Sequence, residues 1–521
     1  MAVVVLAAAV LVGGLSRRYG LPAPLVLVGT GLVVTLVPAV PEVPLEPDLV
    51  LFLVLPPLLF SAALSSSYVS LRADLRPILS LSVGLVVVGC VVVGAVLHLL
   101  VPGIPLPVAF AFGAIVAPTD AVAATAVGRS LGLPRRTLTI LEGESLLNDA
   151  TALTLYKVAV GVAIGSAASV AQDIGIFVAA SVGGVALGLL LGFFMHGVLR
   201  RIDDPLLESA TALVVPFVAY SLGEELHTSG VLAVVVCGLY VAHRGYRDIS
   251  FSGRLQLESM WRLIAFVLEC LVFLLIGLQF QTTLAEMAEV DVGHAFALCA
   301  AMLGTVIVVR IGYVFGWAWL SRLVGRRRSQ FDGPRQLTVV SWAGMRGVVS
   351  LAAAFGLPQL MADGVRLPYR ELVTVLTFFV VIGTLALQGL TLPLLIRRLG
   401  LGRSDTAARR RLQAAAVETG VRAGLARLDE LVARGEPAAV PDVVARLRGD
   451  AESRAATTWE MVDVDAPGLV PAAAYRSLRR DMIAAERDAV RQLRDDGTID
   501  DDMLRDVWRD LDLEEELLSR Q

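Results

Sequence analysis

The segment Leu141-Glu142-Gly143-Glu144-Ser145-Leu146-Leu147-Asn148-Asp149-Ala150 sets three carboxylates, a serine and an asparagine inside a stretch, Leu138 to Ala163, that is otherwise mostly apolar. Ionisable groups at membrane depth cost about 3 kcal/mol each to insert, so such a group marks a functional site by default. On a helix, Glu142, Ser145 and Asp149 fall at i, i+3 and i+7 on one face, and Glu144 and Asn148 at i and i+4 on an adjoining one. A carboxylate near the centre of a span is costly as a bare anion and is relieved by a proton or by a dehydrated cation. One site, two competing ligands and one negative charge are the minimum physics of exchange.

A second group, Ala117-Pro118-Thr119-Asp120-Ala121-Val122, lies in the preceding apolar stretch. Pro118 removes a backbone hydrogen bond and clashes with the turn before it, so a break is expected there. Broken helices at membrane depth offer carbonyls and half-helix ends to ions, and Asp120 falls where a half-helix amino terminus would stabilise it. Thr119 and Ser145 can add neutral oxygens suited to a hard cation such as Na+. Asn148 is expected to hydrogen-bond Asp120 across the two spans. Two blander readings stand beside this one: a kink with a capping aspartate, and a polar network that only fixes helix packing. The coincidence of two acidic spans weighs against both.

A third group is Ser341-Trp342-Ala343-Gly344-Met345-Arg346-Gly347-Val348. A buried arginine needs a partner, and Glu144 is the expected one, as a structural ion pair outside the transported-ion site. Gly344 and Gly347 would allow a second unwound segment opposite Pro118. Arg310 and Glu269 are expected to pair with each other or with other carboxylates, supporting the site. Lys157 is expected to snorkel toward the outer surface, and the five histidines read as interfacial. There is no phosphate loop, metal cluster or defensible nucleophile–base pair. ATP-driven transport and enzymatic catalysis are therefore not indicated, and neither a cofactor nor a nucleic-acid partner is expected.

These residues need a membrane scaffold, and the composition supplies one. Of 521 residues, 56% are apolar, with mean hydropathy +0.72, far beyond a soluble chain of this length. Thirteen candidate spans follow, roughly 2–15, 22–39, 48–66, 77–101, 107–127, 136–164, 172–199, 206–222, 228–243, 260–280, 294–320, 336–357 and 371–396. Alternate loops carry 18 basic residues: Arg17, Arg18, Arg72, Arg76, Arg129, Arg135, Arg136, Arg200, Arg201, Arg244, Arg247, Arg254, Arg262, Arg322, Arg326, Arg327, Arg328 and Arg335. The opposite loops carry Glu42, Glu46, Asp48, Asp173, Glu224, Glu225, Glu286, Glu289 and Asp291, with Arg366 and Arg370 their only basic residues. The positive-inside rule puts the basic loops in the cytoplasm, the amino terminus outside and the segment after Arg397 inside. Residues 1–397 read as the membrane domain. Residues 398–521 read as a soluble, mostly helical cytoplasmic tail, with 19 Arg and 25 Asp+Glu from Leu401 onward; its acidic end reads as a solvated face, with a regulatory or partner surface as the alternative. The four cysteines lie in apolar runs and read as small buried hydrophobes.

The chain resembles the monovalent cation:proton antiporter-1 family, which includes NhaP antiporters and the animal sodium/proton exchangers. The likeness rests on Leu55-Pro56-Pro57-Leu58-Leu59-Phe60, Pro118-Thr119-Asp120-Ala121-Val122-Ala123, the Glu142–Ala150 segment, Phe273-Leu274-Leu275-Ile276-Gly277 and Gly344-Met345-Arg346-Gly347. It implies thirteen spans in inverted repeats, broken and crossing fifth and twelfth spans, a homodimer and elevator-like alternating access. It further implies Asp149 as the carboxylate that binds Na+ and proton in turn, Thr119 and Ser145 as Na+ ligands, Asp120 paired with Asn148, and Glu144 paired with Arg346. An Asn-Asp pair, where other members have two aspartates, goes in that family with one-for-one electroneutral exchange. Many prokaryotic members carry a glutamate where this chain has Ser61, which removes an acidic third-span ligand. The resulting expectation is exchange of Na+, or of K+ or Li+, for protons in the service of pH and sodium homeostasis. The alternative is a transport-deficient sensor or scaffold that signals through the tail.

Overall fold

The computed structural model describes residues 2–35, 47–165, 170–202, 204–245, 249–279, 292–323, 333–361, 364–401, 405–435, 440–460, 470–496 and 501–520. Glu42, Glu46, Arg247, Glu286, Glu289, Asp291 and Arg326–Arg328, used above for orientation, lie outside the described residues. The chain divides into two compact units, Met1–Gly402 and Arg403–Gln521.

The first unit is all helical: α1 (Ala2–Arg18), α2 (Ala23–Thr35), α3 (Pro47–Ser65), α4 (Tyr68–Ala73), α5 (Leu75–Leu79), a π-helical turn (Ser80–Leu85), α6 (Val86–Leu100), α7 (Leu106–Val116), α8 (Ala121–Ser130), α9 (Arg135–Ala163), α10 (Val170–Leu199), α11 (Pro205–Glu225), α12 (Gly230–His243), α13 (Phe251–Leu278), α14 (Val292–Leu323), α15 (Pro334–Trp342), α16 (Val348–Phe355) and α17 (Arg370–Leu399). Among the described residues, six helical stretches are long and apolar enough to cross a bilayer: 75–100, 178–199, 205–225, 252–278, 295–321 and 370–399. Shorter apolar helices cover 23–35, 52–65, 106–116 and 230–243. In hydrocarbon every backbone group must be satisfied within the protein, which favours helices throughout. The chain is a multi-pass membrane protein.

Two apolar stretches are interrupted. Residues 117–120 separate α7 from α8, and residues 343–347 separate α15 from α16. The first gap contains Pro118 and the second the pair Gly344 and Gly347, as their chemistry leads one to expect. The two gaps meet, because the Asp120 amide donates to the Met345 carbonyl at 2.8 Å. Elsewhere small residues let helices close up, as is usual where lipid supplies no hydrophobic drive. A Cβ on Gly31 of α2 would sit 2.7 Å from the Gly277 Cα of α13. The π turn has a partner too: the Tyr313 hydroxyl on α14 donates to the Ser80 carbonyl at 3.0 Å. That bond takes up a group freed where the hydrogen-bond ladder shifts.

The second unit holds α18 (Asp405–Ala433), α19 (Pro441–Glu460), α20 (Val470–Asp495) and α21 (Asp501–Arg520). Ile483 and Leu504 are its buried apolar contacts on α20 and α21. Arg479 of α20 bridges Glu514 of α21 and Glu486, each at 2.7 Å.

Candidate ion-exchange site

The break after α7 is turned toward α9. Thr119 Oγ1 donates to Glu144 Oε1 at 2.8 Å and accepts from Asn148 Nδ2 at 3.1 Å, while that same amide donates to the Thr119 carbonyl at 2.9 Å. Ser145 Oγ accepts from the Ala121 amide at 3.3 Å, serving the open amino end of α8. Asp120 is the N-cap of α8 and takes the Val122 amide at 2.8 Å. Its other oxygen lies against Gly347, where a Cβ would come within 2.3 Å of it. Gly347 is the N-cap of α16. Asp120 therefore faces the amino ends of two half-helices, where partial positive charge gathers.

The opposite ends of the half-helices face a cation. Arg346 Nε donates to the Val116 carbonyl at the end of α7 at 2.9 Å, and its Nη1 to the Gly344 carbonyl just past α15. Arg310 on α14, fully buried, donates through Nη1 and Nη2 to the two oxygens of Glu144, the latter at 3.0 Å. It also donates to the Val340 carbonyl at 3.0 Å and the Ala343 carbonyl at 3.3 Å.

Two expected pairings are corrected here. Glu144 pairs with Arg310 instead of Arg346, because Arg346 springs from an unwound segment and spends its donors on local carbonyls. Asn148 binds Thr119 instead of Asp120, because Asp120 is turned to the helix amino ends. Of the two pairings expected for Arg310, with Glu269 or with another carboxylate, the structure shows the second, because Glu144 takes two of its donors. Glu269 on α13 carries no hydrogen bond or ion pair among the described residues, but lies within electrostatic reach of Asp120 and Arg17. Lys157 pairs with Glu224 at 2.7 Å.

Asp149 is 7% exposed on α9. It has no hydrogen-bond or ion-pair partner among the described residues. Beside it in sequence, Asn148 Oδ1 is buried with no partner. An unpaired carboxylate and an orphaned amide oxygen in one turn, with two hydroxyls nearby, form an oxygen-rich locus of low net charge. Hard monovalent cations and protons are the ligands that suit it.

Comparison with known proteins agrees. The sequence pattern of the sodium/hydrogen exchanger transmembrane family matches residues 5–398. The chain belongs to that family. An uncharacterized Na(+)/H(+) exchanger of Mycobacterium tuberculosis is 36% identical over 98% of this chain and 95% of its own length. The Na(+)/H(+) antiporter ApNhaP of Aphanothece halophytica is 35% identical over 72% of this chain and 69% of its own. In structure, the sodium proton antiporter MjNhaP1 of Methanocaldococcus jannaschii has TM-score 0.61 at 18% identity, covering 76% of this chain and 97% of that one, which speaks to the fold. The chain is a transporter and not an enzyme.

This exchanger has a buried carboxylate that its sequence did not single out. Glu208, 2% exposed in the first turn of α11, accepts from the amide and hydroxyl of Ser250, the N-cap of α13, at 3.0 and 2.9 Å. It ties α11 to the start of the helix that carries Glu269. A lone Glu after Asp-Pro-Leu-Leu carries no signal of this, since its partner is 42 residues away.

Proposed function

We propose that this exchanger swaps one monovalent cation, Na+ foremost and K+ or Li+ as further candidates, for one proton, with Asp149 holding each in turn. Charge accounting carries the proposal. Around the crossing stand three carboxylates, Asp120, Glu144 and Asp149, and two guanidinium groups, those of Arg310 and Arg346. Glu144 is matched by Arg310, Asp120 by two helix amino ends and Arg346 by the carbonyls at the ends of α7 and α15. One negative charge, on Asp149, remains. A bare buried carboxylate is too costly to carry across an apolar barrier, so the site moves only when a proton or a cation fills it. Either ligand leaves it neutral, and the exchange is electroneutral.

In this account the cation takes Asp149, Ser145 and Thr119 as ligands, with Asn148 adding its unpartnered amide oxygen. Glu144 and Arg310 hold the core, Pro118 keeps the segment unwound, and Glu269 supports the site from α13. Thirteen spans in inverted repeats, a homodimer, an outside amino terminus, a cytoplasmic regulatory tail from about residue 398 and elevator-like access complete the proposal, as does a role in pH and sodium homeostasis. The test is Asp149→Asn in proteoliposomes. Exchange should vanish while the protein stays folded in the membrane, and retained exchange would refute the site.

A further inference from the structure

Glu142 is the one acidic residue of the α9 motif that the exchange site leaves unused. It lies seven residues before Asp149 on the same helix face, about 10 Å nearer the arginine-rich end of α9. Its carboxylate accepts from Arg129 Nη2 at 2.6 Å, and the two side chains are 22% and 59% exposed. Arg129 closes the last turn of α8. On that helix Val122, Ala126 and Arg129 are all exposed, at i, i+4 and i+7. The exposed stripe thus runs from Arg129 down to Val122, beside Asp120, which is itself part-exposed at the bottom. A stripe with charges at both ends suits a wall that faces water, since lipid would tolerate neither.

The surroundings of this wall are cationic. Arg72, Arg76, Arg135 and Arg136 belong to the same end, and Asp74 is engaged by Arg136 at 2.9 Å. A cation approaching from there meets repulsion. Glu142 offers a carboxylate on the way in, and its bond to Arg129 is an exposed ion pair of the weakly held kind, ready to exchange partners.

We propose that Glu142 collects the cation on its way to Asp149, and that Arg129 competes with the cation for that carboxylate. Glu142 is a positioning residue on the access path and does not bind the ion at the crossing. The inference rests on the exchange function proposed above.

The two charges act in opposite directions, which a structural role would not produce. In everted membrane vesicles, which present the arginine-rich face to the medium, Na+ is titrated against dye-reported proton flux for the full-length chain. Glu142→Gln should raise the half-saturating Na+ about three-fold or more, because a fixed charge lining a cleft sets the local cation concentration. Arg129→Gln should lower it, and both variants should keep the maximal rate. Added choline chloride should compress both shifts by screening. The proposal is overturned if half-saturation stays at the wild-type value, if both variants shift the same way, or if only the maximal rate falls. Should Glu142→Gln fail to reach the membrane, Arg129→Gln alone decides, since its side chain is at the exposed helix end. Wild-type vesicles without Na+-driven proton flux would sink the exchange function as well; active wild type with unmoved variants would sink the role of Glu142 alone.

Discussion

Replacing Arg310 with methionine should damage this protein more than most single changes can. The Arg310 side chain is fully buried and Glu144 is 2% exposed, so neither charge can turn to water when its partner goes. The substitution removes two bonds to the Glu144 carboxylate and leaves the Val340 and Ala343 carbonyls, at the end of α15, without those donors. Orphaning a buried charge costs about 3–5 kcal/mol. Glu144→Gln/Arg310→Met removes both charges together while keeping an acceptor for Thr119. Much of the loss should return, giving a coupling energy of about 1–3 kcal/mol. The parallel cycle on Glu144 and Arg346 should give a smaller coupling, because no hydrogen bond joins them. The assay is thermal unfolding of the purified full-length chain in lipid nanodiscs. Arg310→Met as stable as wild type, or stronger coupling of Glu144 to Arg346 than to Arg310, would refute the pairing.

Other consequences can be checked in the same preparations. Gly347→Ala would bring a Cβ to within 2.3 Å of the Asp120 carboxylate; displacing a group so near the site should cut exchange about 10-fold or more, with cation flux as the readout, and an unaffected rate would show that the contact is loose. Glu208→Gln weakens the charge-assisted cap of α13 and should cost about 1–3 kcal/mol in thermal stability, whereas an unchanged melting profile would make the contact incidental. In the tail, hydrogen bonds from Arg479 hold the Glu514 carboxyl below its ordinary value of 4.5. Its contribution to α20–α21 pairing is therefore full above about pH 4.5 and fades as pH falls through the lowered value. Protection of the α20 amides, referred to the intrinsic exchange rate at each pH, should fall on acidification in wild type and be low already at neutral pH in Arg479→Ala; equal protection in the two proteins would dismiss the bridge.

Much of this arrangement was legible because its chemistry is local. Pro118 and the glycines at 344 and 347 announce the two breaks, and carboxylates in an apolar stretch announce the site. What stayed hidden depends on how one helix is rotated against another. Which of two arginines reaches Glu144 is decided by the facing of α14 and by carbonyls that exist only once α15 has ended at Trp342. The partner of Asn148 is hidden in the sequence because Asp120 answers to two helix amino ends, one of them supplied by a segment more than 200 residues away. The π turn at Ser80–Leu85 and its Tyr313 partner likewise leave no periodic trace, and neither does the link from Glu208 to Ser250.

The central claim is that one uncompensated carboxylate carries either one cation or one proton. Its most direct test is the dequenching of a pH dye in proteoliposomes with an acid interior, on adding Na+, K+ or Li+, with the membrane potential clamped in one set and free in the other. The account predicts a cation-specific response of equal rate in both sets, abolished by Asp149→Asn. A rate that changes with the clamp would contradict one-for-one exchange, and folded protein that responds to none of the three cations would contradict exchange itself.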